Sequence, residues 1–138
     1  MRVMVNGTFD IIHRGHIEML NYARSLGTFL LVAIDTDRRV KELKGATRPV
    51  NSQEDRKFYL QNLRSVDTVR LFDSQEELIE IMKGWQPDVY VKGSDWKHDK
   101  KSTAHQYCNN VIYFDRISGY SSTNIISRCS SMDRIEHS

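Results

Sequence analysis

Short apolar runs alternate with helix-like segments along almost the whole chain, and this alternation constrains the fold more than any other feature. Val3-Met4-Val5 reads as a buried strand, as do Phe29 to Ile34, Thr68 to Phe72, Asp88 to Val91 and Val111 to Phe114. Between them the apolar period changes. Ile17 to Leu26 reads as a helix stopped by Gly27, with Met19, Tyr22, Ala23 and Leu26 in one stripe. Leu78, Ile81, Met82 and Trp85 form a second stripe, behind a capping box of Ser74 and Glu77. Tyr59, Leu60 and Leu63 make a third, in a helix expected to start near Asn51, just after Pro49. Strands separated by helices need crossover connections, so the sheet is parallel and covered on both faces.

The length of 138 residues suits one domain with enough core to fold unaided. A net charge of +2 is too small to imply nucleic-acid binding. Cys108 and Cys129 form no C-x-x-C pair, which fits a reducing compartment. The N-terminus lacks the pattern of a signal peptide, and no apolar run is long enough to span a membrane. The expectation is a cytoplasmic domain over residues 1–130, followed by a tail over 131–138.

In a parallel sheet, ligands sit beyond the carboxyl ends of the strands, where the strand order reverses. The distinctive runs of this chain all follow predicted strands. Asn6-Gly7-Thr8-Phe9-Asp10-Ile11-Ile12-His13-Arg14-Gly15-His16 lies where the first strand gives way to the first helix. Two imidazoles three residues apart share one face of a helical turn. Backbone N–H groups at that terminus, with the helix dipole, favour anions. Gly7 and Gly15 let a phosphate approach the backbone. The chemistry indicated is polyphosphate binding. Three other readings stand beside it: a zinc site of Asp10, His13 and His16, ordinary helix-terminus histidines, and a simple turn at Gly7.

Further along, Lys41-Glu42-Leu43-Lys44-Gly45 offers lysines as point charges for phosphate, or else a solvated helix face or loop. Arg56 shares a stripe with apolar residues, so its guanidinium either has a buried partner or ligand, or snorkels past the core edge. Lys92-Gly93-Ser94-Asp95-Trp96 joins a cation, a flexible position and an aromatic plane. Arg116-Ile117-Ser118-Gly119-Tyr120-Ser121-Ser122-Thr123 precedes a final helix and ends in three hydroxyls. One of them, Ser121 or Ser122, serves as N-cap. The cluster marks a second helix terminus aimed at phosphates.

The first of these runs resembles the G-x-F-D-x-x-H-x-G-H signature of the cytidylyltransferase-like nucleotidyltransferases. The likeness extends over residues 2 to 128. K-x-L-K-G, R-P-V-N, K-G-S-D and S-T-N-I-I are similar to the subgroup typified by the nucleotidyltransferase domain of bacterial ADP-heptose synthase. Glycerol-3-phosphate cytidylyltransferase is a further relative, similar in the histidine run and in the Arg116–Thr123 segment. The resemblance implies an α/β fold, Rossmann-like and doubly wound, with five parallel strands. It implies transfer of AMP from ATP to a sugar phosphate such as D-glycero-β-D-manno-heptose 1-phosphate, forming ADP-sugar and pyrophosphate. A cytidylyltransferase for glycerol 3-phosphate and a non-catalytic nucleotide-binding protein are the alternatives.

His13, His16 and Lys44 are the expected catalytic residues. Gly7, Thr8, Phe9, His13, Gly15, His16, Lys92, Gly93, Asp95, Arg116, Gly119, Ser121, Ser122 and Thr123 are expected to hold the nucleotide. Asp10, Lys41 and Arg56 are expected to face the acceptor. Mg2+ would ride on the phosphate oxygens, with Asp10 helping directly or through water. Ser122 replaces the threonine common at that place and keeps the hydroxyl. The sugar kinase fused to this domain in many bacteria is not part of the chain, so a separate kinase is the expected upstream partner. A homodimer is the expected assembly.

Overall fold

A computed structural model of the chain describes residues 1–93 and 104–114. Its elements run β1 (Arg2–Gly7), α1 (Arg14–Ser25), β2 (Phe29–Asp35), α2 (Asp37–Lys44), α3 (Gln53–Gln61) and β3 (Thr68–Phe72). They continue through α4 (Gln75–Trp85), β4 (Val89–Gly93), α5 (Ala104–Tyr107) and β5 (Val111–Phe114). The five strands form one sheet in the order β3-β2-β1-β4-β5. All four neighbouring pairs are parallel. The chain winds outward from β1 through β2 to β3, then returns to the other side of β1 for β4 and β5. The order therefore reverses between β1 and β4, and a crevice opens there at the carboxyl ends.

The apolar runs are continuous because both faces of the sheet are covered. Val3, Val5, Leu30, Val32, Val89 and Val91 belong to one cluster, with Leu20 and Ala23 of α1 and Leu60 of α3. Met4, Leu31, Ala33 and Tyr90 belong to the other, with Leu78, Ile81 and Met82 of α4. Val5 stands between Val32 and Val91 in register. A one-residue slip would exchange the two faces, so the packing locks the register.

Several element boundaries differ from the sequence expectation. The first helix starts at Arg14 because His13 caps it. Within it Leu20 and Ala23 are the fully buried contacts, while Tyr22 reaches the surface. The third helix starts at Gln53, with the Ser52 hydroxyl accepting from the Asp55 N–H at 3.2 Å. Asn51 stays outside it because its N–H and C=O are held by Asp10 and Arg56. Arg56 and Leu60, one turn apart, form its inward face, and Tyr59 is 44% exposed. Glu77 completes the cap of α4 by accepting from the N–H of Asp73, one residue before the N-cap Ser74. Lys92 and Gly93 belong to β4 itself. Asp88 lies outside that strand, and its carboxylate receives the Arg2 N–H at 2.7 Å. Residues 41–44 are helical, and the short α5 had no counterpart in the sequence reading. The expected final helix and the 131–138 tail lie outside the described residues. Among those residues, no helix is long and apolar enough to cross a membrane.

Candidate active site

The loop from β1 to α1 is shaped by Gly7 and Phe9. Phe9 has φ +50°, in the left-handed region, and its side chain is buried. Such a backbone costs an L-residue ~1–2 kcal/mol, offset here by burying the ring in the core cluster under β1. A Cβ on Gly7 would meet Phe9 Cε2 at 2.9 Å, so the absent side chain is what lets the ring fold back. The Phe9 ring also lies 5.0 Å from that of His16.

The two histidines cap their own helix. His13 Nδ1 accepts the N–H of Gly15 at 3.1 Å, and His16 Nδ1 accepts the N–H of His13 at 3.3 Å. An imidazole nitrogen that accepts carries no proton, so both neutral rings bear hydrogen at Nε2. The rings stack with centroids 3.8 Å apart and planes 21° from parallel. This modifies the sequence picture of an anion held by backbone amides. The amides of His13 and Gly15 are occupied by imidazoles, and the donor role passes to Nε2–H. His13 is 8% exposed, which places this donor in a low-dielectric setting beside the positive end of α1.

Asp10 and Arg56 are engaged inside the protein. Asp10 is 1% exposed. Its carboxylate accepts from Arg48 Nε at 2.9 Å, from the Val50 N–H at 2.9 Å and from the Asn51 N–H at 2.8 Å. Burial alone would raise its pKa, but the two backbone donors and the Arg48 guanidinium outweigh burial and hold it below the ordinary carboxylate range. Arg56 is 0% exposed. Its guanidinium donates to the carbonyls of Asn51, Thr8 and Asp35 and to the Asp37 carboxylate at 2.8–3.1 Å. Both residues expected to face an acceptor have partners within the fold: Arg56 ties the ends of β1 and β2 to the start of α3, and Asp10 fastens the 48–51 loop. A charge at the centre of the fold needs internal acceptors, and these are what the buried positions provide.

Thr8 Oγ1 lies 3.4 Å from Asp35 Oδ2, and Arg39 Nε donates to Asp35 Oδ1 at 2.9 Å. Lys41 and Lys44 are exposed on α2, whose last turn ends at Gly45 with φ +105°. Across the crevice, the Tyr90 hydroxyl donates to Asn6 Oδ1 and joins β4 to β1. Burial raises the Tyr90 phenol far above its usual range, helped by Cys108 and Asp35, so it remains a neutral donor. Lys92 Nζ stands 6.0 Å from the Tyr90 ring, and a Cβ on Gly93 would enter open space. Asp95, Trp96, Arg116, Gly119, Ser121, Ser122 and Thr123 lie outside the described residues. Zinc on either Nε2 would require hydrogen at Nδ1, where each ring instead accepts a backbone N–H. Among the described residues no three His, Cys, Asp or Glu side chains gather as metal ligands.

Two contributors escaped the sequence reading. Arg48 and Asn51 were visible only as part of a signature, although both contact Asp10. The available signal was an arginine and an amide flanking a proline, directly after a lysine-rich turn.

A family model described as cytidylyltransferase-like matches residues 4–128. The bifunctional protein HldE of Helicobacter hepaticus is 40% identical over 136 residues, covering 99% of this chain and 28% of that protein. Its counterpart in Campylobacter fetus is 44% identical over 126 residues, covering 91% and 27%. The chain thus spans little more than a quarter of the curated relatives it matches. Among solved structures, the lipopolysaccharide core biosynthesis protein of Thermoplasma volcanium superposes with a TM-score of 0.73 at 25% identity, covering 86% of this chain and 98% of that one. Pantothenate synthetase of Thermus thermophilus gives a TM-score of 0.65 at 16% identity over 90% of this chain and 60% of its own, a likeness of fold alone.

Proposed function

The chain belongs to the cytidylyltransferase-like family of nucleotidyltransferases, and from that premise we propose that it transfers AMP from ATP to a sugar 1-phosphate, D-glycero-β-D-manno-heptose 1-phosphate or a close analogue. The observation that carries the chemistry is the stacked histidine pair, in which each Nδ1 accepts a backbone N–H and the hydrogen of each neutral ring is on Nε2. The choice of acceptor rests on the likeness to HldE proteins and on the R-P-V-N and K-G-S-D runs.

In the proposed reaction an oxygen of the sugar phosphate attacks the α-phosphorus of ATP. The new O–P bond forms as the bond to the β-phosphate oxygen breaks, and pyrophosphate leaves with that electron pair. A phosphate monoester has its second pKa near ~6 and is already largely dianionic at neutral pH. No general base is required. The histidine donors meet negative charge as it grows on the α-phosphate, in a setting that needs little reorganisation. Lys44 supplies a point charge to the phosphates. The adenosine end would lie along the β1–β4 crevice, beside Lys92 and Gly93. Mg2+ would enter on the triphosphate, neutralising its oxygens, because the described residues offer no cluster of their own. An upstream sugar kinase reaction would supply the acceptor.

A matrix of the four nucleoside triphosphates against sugar and polyol phosphates, followed by pyrophosphate release, tests this directly. ATP with heptose 1-phosphate is expected to give the highest rate, and only when a divalent cation is present. A clear preference for CTP with glycerol 3-phosphate would overturn the acceptor assignment. Nucleotide binding without pyrophosphate release from any pair would overturn the catalytic one.

A further inference from the structure

Arg48 differs from the other buried arginine of this region. Arg56 has acceptors within the fold for Nε, Nη1 and Nη2. Arg48 donates from Nε to Asp10, and its Nη2 is buried with no acceptor among the described residues. Asp10 already takes the amides of Val50 and Asn51. A guanidinium nitrogen removed from water and given no acceptor is unfavourable, and structures rarely keep one without a reason. Arg48 retains 14% of its side-chain exposure, so it sits at the rim of the fold and not at its centre.

The local chain places that rim beside the reacting region. The Arg48 N–H donates to the Gly45 carbonyl at 3.2 Å and closes the turn after α2. Residues 41–48 carry Lys41, Lys44 and Arg48 against the single acid Glu42. The turn folds back onto Asp10, three residues before His13. A dianionic acceptor that reaches the histidine loop meets this positive segment.

We propose that Arg48 binds the phosphate of the acceptor, a role that rests on the transferase reading above. Asp10 holds Nε and thereby aims the remaining N–H groups of the guanidinium. The planar fork then takes two phosphate oxygens and turns the third toward the α-phosphorus. The unmet donor is completed by substrate.

The test uses Arg48→Ala and Arg48→Lys in the full chain. KM for heptose 1-phosphate, KM for ATP, kcat and the melting midpoint are measured together. Arg48→Ala should raise the acceptor KM at least ~10-fold while the ATP KM stays within about twofold. Arg48→Lys, which keeps the charge if the alanine variant folds poorly, should recover part of the acceptor KM but not kcat, because an ammonium cannot hold the fork geometry. Unchanged kinetics would overturn the proposal. So would equal rises in both KM values accompanied by a lower melting midpoint, since that pattern describes a brace for Asp10. If the native chain makes no ADP-heptose, the transferase reading fails independently. Titration of inorganic phosphate by calorimetry then decides for Arg48: weaker binding in Arg48→Ala upholds a phosphate site, and equal or absent binding overturns it.

Discussion

The two sides of the β1–α1 loop use similar polar residues in opposite ways. On one side His13 and His16 accept backbone N–H groups through Nδ1 and keep Nε2–H as a donor. On the other, Asp10 and Arg56 direct their charge into the protein, to backbone groups and paired side chains. The first side has chemistry to offer a ligand, and the second keeps the first in place. Burial does not separate them, because His13 is nearly as enclosed as Asp10. What separates them is the kind of group each presents: imidazoles protonated at Nε2 on one side, and a carboxylate and guanidinium bonded to backbone and paired side chains on the other.

The comparison breaks most severely if the bracing side proves dispensable. Arg56→Ala would strip acceptors Asn51, Thr8 and Asp35 of their donor and leave Asp37 without its ion-pair partner. Removing one member of a buried charged network costs ~3–5 kcal/mol, so urea unfolding should show a loss of that order. A variant with native stability would refute the bracing role of this guanidinium.

His16 sharpens the contrast from the other direction. His16→Ala should lower turnover by ~100-fold or more. It also deletes the acceptor for the His13 N–H, which confuses loss of chemistry with loss of a cap. His16→Gln separates the two, because glutamine at the third helical position can reach back to the N-cap amide. The glutamine variant should melt close to the native chain and remain as slow as alanine. Recovery of turnover in it would mean that capping, and not the imidazole, was the contribution.

Strand positions were legible because each β-branched run is buried on two faces and leaves a continuous apolar signature. Crossover logic led to a parallel sheet and placed the histidine run after the carboxyl end of β1, whereas the order of the strands and the position of its switch came only from the structure. The bracing side was not legible. Asp10 and Arg48 are 38 residues apart, and Arg56 is 48 from the Thr8 carbonyl it holds. No local period encodes such contacts, so Asp10 looked like a ligand-facing group, and the inward reading of Arg56 held while its partners could not be named. The tautomer of the histidines was hidden for a related reason, since it depends on which backbone amide each ring meets.

Acid should weaken the bracing side through Asp10. Its folded pKa lies below the ordinary 3.8, so the stability it contributes is fully present above that value and is lost as pH falls through the folded pKa. Asp10→Asn should therefore lower stability by ~1–3 kcal/mol near neutral pH. The gap from the native chain should narrow as pH falls below about 4. A gap of constant size across that range would point to lost packing as the cause, with the carboxylate charge playing no part.

The smallest expected effect concerns the lysines, whose exposure places them on neither side of the comparison. Lys44 occupies the last turn of α2, immediately before Gly45 reverses the chain toward Arg48 and Asp10. Lys41 lies one turn earlier and farther from that reversal. Point-charge attraction falls with distance and with solvent screening, so Lys44→Ala should raise KM for nucleotide or lower turnover more than Lys41→Ala does. Arginine at 44 should rescue only partly, because its planar fork presents charge differently from an ammonium. Raising the salt concentration should reduce the difference between Lys44→Ala and the native chain, as expected for an exposed charge. Equal and small losses at both positions would return the lysines to an ordinary solvated helix face and leave phosphate binding to the histidines and Arg48.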